Sequence, residues 1–170
     1  MTRLPVRLFL FAVCLAAIGS ASYFTWSFEQ HLRHDAERAR RFDTIARAAG
    51  IAVADLRAAQ ESYVAVGQGE DFWFARVLAI RKDLDEKFTE LKSLATAPEA
   101  TIALDDAAGA LQDFVQMDLR ARDHVRSGQL ALASDMVFGD GFDLTKKNGE
   151  AVERAANAEM VARDAATSTT

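Results

Sequence analysis

From Leu8 to Phe28 the chain runs LFLFAVCLAAIGSASYFTWSF, twenty-one residues without a formal charge, and no other stretch limits the fold as much. About 20 predominantly apolar residues make a helix long enough to cross the hydrocarbon core of a bilayer. Arg3 and Arg7 precede the run and Glu29 closes it, while Tyr23, Phe24, Trp26 and Phe28 gather at its outer end as interfacial aromatic residues do. The expectation is a cytoplasmic tail over 1–7, a membrane anchor over 8–28 and an ectodomain beyond it. A cleaved signal peptide is the rival, because Gly19, Ser20 and Ala21 follow the apolar core and would leave a mature chain starting near Ser22. The uncharged run passes these small residues and continues through four aromatic ones, which favours the anchor. Arg33, Arg38, Arg40 and Arg41 outnumber the two arginines before the span, but long segments translocate largely regardless of charge. The bundle is therefore expected in the periplasm, held to a bacterial inner membrane.

The 142 residues from Glu29 onward suffice for one domain. They carry 18 basic and 25 acidic residues, a formal charge of minus 7 that argues against nucleic acid as a partner. The one cysteine, Cys14, lies in the apolar run, so the ectodomain has no disulfide, thiolate metal site or c-type haem attachment. Prolines fall only at 5 and 98, and the long alanine-rich segments between turns favour helix throughout.

Glu29–Arg41, EQHLRHDAERARR, is polar all round and reads as a solvated helical stalk. His31 and His34 share a helix face there, but no third ligand at helical spacing accompanies them. From Phe42 a heptad seam begins: Phe42, Ala49, Leu56 and Tyr63, each followed three residues later by Ile45, Ala52, Ala59 and Val66. Ala48, Ile51, Ala54, Ala58 and Ala65 lie outside that seam and point to a second buried face, a dimer interface between two copies. Alanine's helix propensity alone offers the simpler account.

Gly67, Gln68 and Gly69 are expected to stop this helix. Asp71 reads as the N-cap of a second helix carrying Phe72, Trp73, Phe74, Val77, Ile80, Leu84, Phe88, Leu91 and Leu94. Thr96 to Glu99 reads as a capping box with Pro98 in the first turn of a third helix, whose seam holds Leu104, Ala107, Leu111, Phe114, Asp118, Ala121 and Val125. A fourth helix, ended upstream by Ser127 and Gly128, runs through Ala133, Met136, Val137, Leu144, Val152, Ala155 and Met160, with Gly139 and Gly141 as a weak point able to kink it. First and last helices of equal length flank two shorter ones. The expected class is all-α: a membrane helix followed by an antiparallel up-down-up-down four-helix bundle over 42–167, with a short tail at 168–170.

This order of tail, membrane helix and four helices resembles the periplasmic four-helix-bundle sensor domain of bacterial chemoreceptors, the methyl-accepting chemotaxis proteins, and related transmembrane signalling proteins. Asp118 to Phe138, DLRARDHVRSGQLALASDMVF, is the segment most similar to the corner between the third and fourth helices of such domains. The resemblance implies a homodimer packed through the first helix, ligand binding near the membrane-distal end and movement of the last helix. Such receptors continue into a second membrane helix and a cytoplasmic output domain. This sequence contains neither, which leaves the sensor part of a longer receptor or a chain that ends early.

No phosphate loop, zinc-protease motif, nucleophile elbow or kinase signature occurs, so the expectation is a non-enzymatic protein without a cofactor. Met117 and His124 offer a remote haem pair with no second core histidine. Residues expected near the distal corners are Gln60, Tyr63, Trp73, Arg76, Asp118, Arg122 and Arg126. Arginines beside aromatic rings suit a carboxylate or an aromatic anion. Against this, Phe72, Trp73 and Phe74 read as a lid on the core, and Asp118 and Arg122, four residues apart, read as a simple ion pair. The functional expectation is a sensor of a small molecule or a periplasmic protein. Its rivals are a membrane-anchored scaffold and a cleaved, soluble bundle.

Overall fold

A computed structural model describes the backbone of residues 3–65, 67 and 69–168, with side chains from 33 onward within that range. The side chains of Leu8–Phe28, on which the anchor rests, lie outside it. Among the described residues no helix is long and apolar enough to cross a membrane. The described chain is helical apart from its turns, in the order α1 (Arg3–Val64), α2 (Glu70–Leu94), α3 (Pro98–Arg126), α4 (Leu130–Met136) and α5 (Phe142–Ser168), the last two joined by a π-helical turn over Val137–Gly141.

Two compact units divide the chain, Met1–Arg40 and Arg41–Thr170. In the first, the described side chains from Arg33 to Arg38 are all exposed, as an all-polar helix requires. The second holds the core. Phe42, Ala49, Leu56 and Tyr63 of α1 are each at most 2% exposed. They pack in one cluster with Val77, Leu84, Phe88 and Leu91 of α2, Leu104, Ala107, Leu111 and Phe114 of α3, and Val137, Val152 and Ala155 from the last part of the chain. Helical spacing of three and four brings each set to one face, which is why these elements pack.

Gly67 and Gly128 take φ of 85° and 72°, left-handed values open to glycine, and these two corners end α1 and α3. The Gly128 N–H bonds the Val125 carbonyl, and the Gln129 N–H bonds the His124 carbonyl. The start of α2 departs from the sequence expectation. Its N-cap is Gly69, and Asp71 lies inside the first turn, where its charge still favours the positive end of the helix.

The start of α3 departs further. Its N-cap is Ala97, with no capping bond from a side chain of its own turn. Glu159 of α5 does this work: its carboxylate accepts from the Thr96 N–H at 2.5 Å, the Ala97 N–H at 2.8 Å and the Thr96 hydroxyl at 2.8 Å. Thr96 therefore serves the turn as a donor to a distant helix, and Glu99 is exposed. Glu159 also takes the buried place expected of Met160, which is 50% exposed.

The last helical stretch runs from Leu130 to Ser168 without leaving helical backbone, since Val137 (φ −68°, ψ −46°) and Phe142 (φ −60°, ψ −49°) both stay in the right-handed region. The expected weak point at Gly139 and Gly141 is where the π turn forms. The buried Thr145 hydroxyl donates to the carbonyl oxygens of Gly141 and Phe142, at 2.9 and 3.0 Å, and so satisfies backbone groups beside the turn.

Candidate functional site

The corner where the end of α1, the start of α2 and the end of α3 meet is built around Asp118, which lies on the inner face of α3 and is 5% exposed. A carboxylate there loses its water and needs replacement donors. Three arrive. Tyr63 Oη donates to Asp118 Oδ1 at 2.9 Å and Gln60 Nε2 to the same oxygen at 3.1 Å, while Arg122 Nη2 meets Oδ2 at 2.6 Å. Burial first, and the Asp118 charge second, hold the Tyr63 hydroxyl proton well above the ordinary tyrosine range. Tyr63 is thus a neutral donor at any physiological pH. Gln60 Nε2 also lies 3.8 Å from Met117 Sδ.

Phe74, buried on α2, links this polar group to the surface. Its ring meets Tyr63 edge-on at 4.8 Å between centroids. The Arg122 and Arg126 guanidinium carbons lie 4.9 and 5.3 Å from the Phe74 centroid. Cations this close to an aromatic ring are attracted by its quadrupole. Arg122 has Asp118, yet its buried Nε has no hydrogen-bond partner. Arg126 is exposed and has no carboxylate partner among the described residues.

Of the residues expected to form a site, Gln60, Tyr63, Asp118 and Arg122 come together directly, and Arg126 joins them through Phe74. Trp73 is half-buried and packs edge-on against Phe72 at 5.0 Å, and Arg76 is exposed. Only Phe74 of the aromatic trio is buried, since Phe72 is 65% exposed. Met117 is buried against Gln60, and His124 Nδ1 lies 2.6 Å from Gln129 Oε1 across the α3–α4 corner. No cluster of three or more metal-ligating side chains occurs among the described residues.

Gly141 was missed as a site neighbour. A Cβ on it would lie 2.5 Å from Gln60 Oε1 and 3.1 Å from the Met117 methyl, so the π turn packs directly on the Asp118 network. Gly139, two residues earlier, has nothing within 4 Å of such a Cβ.

Along α1, Ile51, Ala54 and Ala58 are exposed and Ala48 is half-buried, and Ala65, just past the end of the helix, is exposed. A groove of about 660 Å³ is lined by residues of both α1 and α5, among them Ala46, Gly50, Gly149, Val152, Ala156 and Met160. At one end of it Arg163 donates to both Asp43 carboxylate oxygens, at 2.8 and 3.1 Å, and Asp43 holds this guanidinium proton above its ordinary range.

No family model, curated protein or solved structure matches this chain.

Proposed function

We propose that the chain is a membrane-anchored, extracytoplasmic sensory domain of a bacterial signal-transduction receptor, non-enzymatic and resembling those of chemoreceptors. Its helices form an antiparallel up-down-up-down bundle in the periplasm, paired with a second copy through α1. The order of cross-helix contacts supports this topology. Arg41 pairs with Glu90 and Tyr63 with Phe74, so α1 and α2 run in opposite directions. Lys92 meets Asp105 close to the turn joining α2 and α3. Asp106 meets Arg154 while the Met117 side chain faces Gly141, which reverses the last helix against α3.

The observation that carries a sensing role is the pair Arg122 and Arg126 sharing the Phe74 ring with one carboxylate between them. A half-buried cation with an unused buried N–H, next to an exposed cation beside the same aromatic ring, is chemistry suited to a ligand carboxylate. The test is a thermal-shift screen of the full chain in detergent against amino acids, organic acids and aromatic acids. A carboxylate at about 100 times its Kd adds roughly 2.7 kcal/mol to the folded state, and Arg126→Ala should abolish the shift without lowering the unliganded melting temperature. A flat screen would favour the scaffold reading, which the exposed strip Ile51, Ala54 and Ala58 supports as a docking face for a partner.

A further inference from the structure

On α2, oppositely charged residues four apart close into ion pairs, Lys82 with Glu86 and Lys87 with Asp83. Arg81 and Asp85 have the same spacing and opposite charge, yet neither has an ion-pair partner among the described residues. Both line a cleft of about 400 Å³ to which α2 and α3 contribute together. From α3, Leu111 and Val115 give the cleft apolar lining, and Asp113 adds a second carboxylate. Asp113 is exposed and likewise has no cation partner among the described residues. Arg81 is half-buried, and its buried Nε has no hydrogen-bond acceptor among them. A donor in that position costs stability until something accepts from it. Neither carboxylate of the cleft does.

From these unpaired charges we infer that the α2–α3 cleft binds a small zwitterion, an unbranched ω-amino acid. Its carboxylate meets the Arg81 guanidinium, and its ammonium is shared by Asp85 and Asp113. One cation and two carboxylates in a single cleft, none neutralising another, serve both ends of such a ligand. A simple anion would face two carboxylates there, and a simple cation would face Arg81. The planar guanidinium fork suits a carboxylate. The side-chain amides of Gln112 and Gln116, which also line the cleft, offer both donors and acceptors to the ligand's polar ends. Its methylene groups then lie along Leu111 and Val115. Arg81 and Asp85 are one helical turn apart, about 6 Å along the axis of α2, a spacing that favours charges separated by several methylenes over charges on one carbon. The volume lies at the small end of the range for ligand sites. Arg81 follows Phe74 by seven residues, two turns of α2, so occupancy of this cleft does not depend on a carboxylate near Arg122.

The test is isothermal titration calorimetry of the full chain in detergent with glycine, β-alanine, γ-aminobutyrate and δ-aminovalerate. The two longest are expected to bind with Kd below about 1 mM. Butyrate and butylamine each carry one of the two charges, and both should bind at least about tenfold more weakly than γ-aminobutyrate. Arg81→Gln and Asp113→Asn should each weaken γ-aminobutyrate by about tenfold or more, whereas Arg126→Ala, which removes the exposed cation beside Phe74, should leave its affinity unchanged. Absence of saturable binding by all four amino acids overturns the inference. So does equal affinity for butyrate or butylamine, and so does an affinity that Asp113→Asn leaves unchanged. Asp113 is exposed, so its amide variant keeps the fold and decides alone if Arg81→Gln does not fold.

Discussion

Two buried carboxylates sit at opposite ends of the helical core, and they are satisfied in different ways. Asp118, at the α1–α2 corner, is held by side chains alone: Gln60, Tyr63 and a charged Arg122. Glu159, beside the α2–α3 turn, is held mainly by backbone N–H groups of Thr96 and Ala97, with one hydroxyl added. Side-chain donors change partner by a rotamer step, whereas backbone donors at a helix start cannot move without moving the helix. The Glu159 end is accordingly a fixed foot for α5. The Asp118 end is the adjustable one, and it is the end that touches the π turn.

Isosteric amides separate the two. Asp118→Asn keeps an oxygen for Gln60 and Tyr63 but turns an NH2 group toward Arg122 and leaves that cation without its partner. Removing one member of a buried pair costs about 3 kcal/mol, and this is the largest loss expected here, measurable as a fall in unfolding free energy by denaturant titration. Glu159→Gln should cost less than about 1 kcal/mol, because Oε1 alone accepts both backbone N–H groups and the Thr96 hydroxyl can reverse to accept from the new amide. Glu159→Ala, which removes the acceptor, should cost about 2 kcal/mol in the same titration. If Glu159→Gln proved as damaging as Glu159→Ala, its negative charge rather than its acceptor geometry would be holding the turn, and the contrast with Asp118 would fail.

Periodicity made most of the core legible. The seam through Phe42, Ala49, Leu56 and Tyr63 and that through Leu104, Ala107, Leu111 and Phe114 are buried as their spacing predicts. Even Asp118 was visible, as a charge in a core position. What stayed hidden depends on residues far apart in sequence. Thr96 and Glu99 have the spacing of a capping box, yet Glu159 reaches the turn first and makes the local cap unnecessary. Glu159 itself continues the spacing of Asn148, Val152 and Ala155, but a search for apolar residues settles on Met160 next to it. The glycines at 139 and 141 signalled a weak point. Their difference, one open and one pressed on Gln60, arises only when α1 and α3 pack against the turn.

The smallest effect sharpens the account of the adjustable end. Tyr63→Phe removes one neutral hydrogen bond to Asp118 and should cost about 1 kcal/mol near neutral pH. The cost should then change with pH. Free tyrosine releases its proton near pH 10, while burial and the Asp118 charge hold the proton of folded Tyr63 to higher pH. Above about pH 10 the folded state binds the extra proton and the unfolded state does not, so this contribution is complete below that pH and declines above it. Phenylalanine has no proton to hold. Unfolding titrations from roughly pH 8 to roughly pH 11 should therefore show parent and variant converging as pH rises, with titrations common to both cancelling in the difference. Parallel curves across that range would mean that Tyr63 does not keep its proton on Asp118, and that Gln60 and Arg122 alone hold the carboxylate.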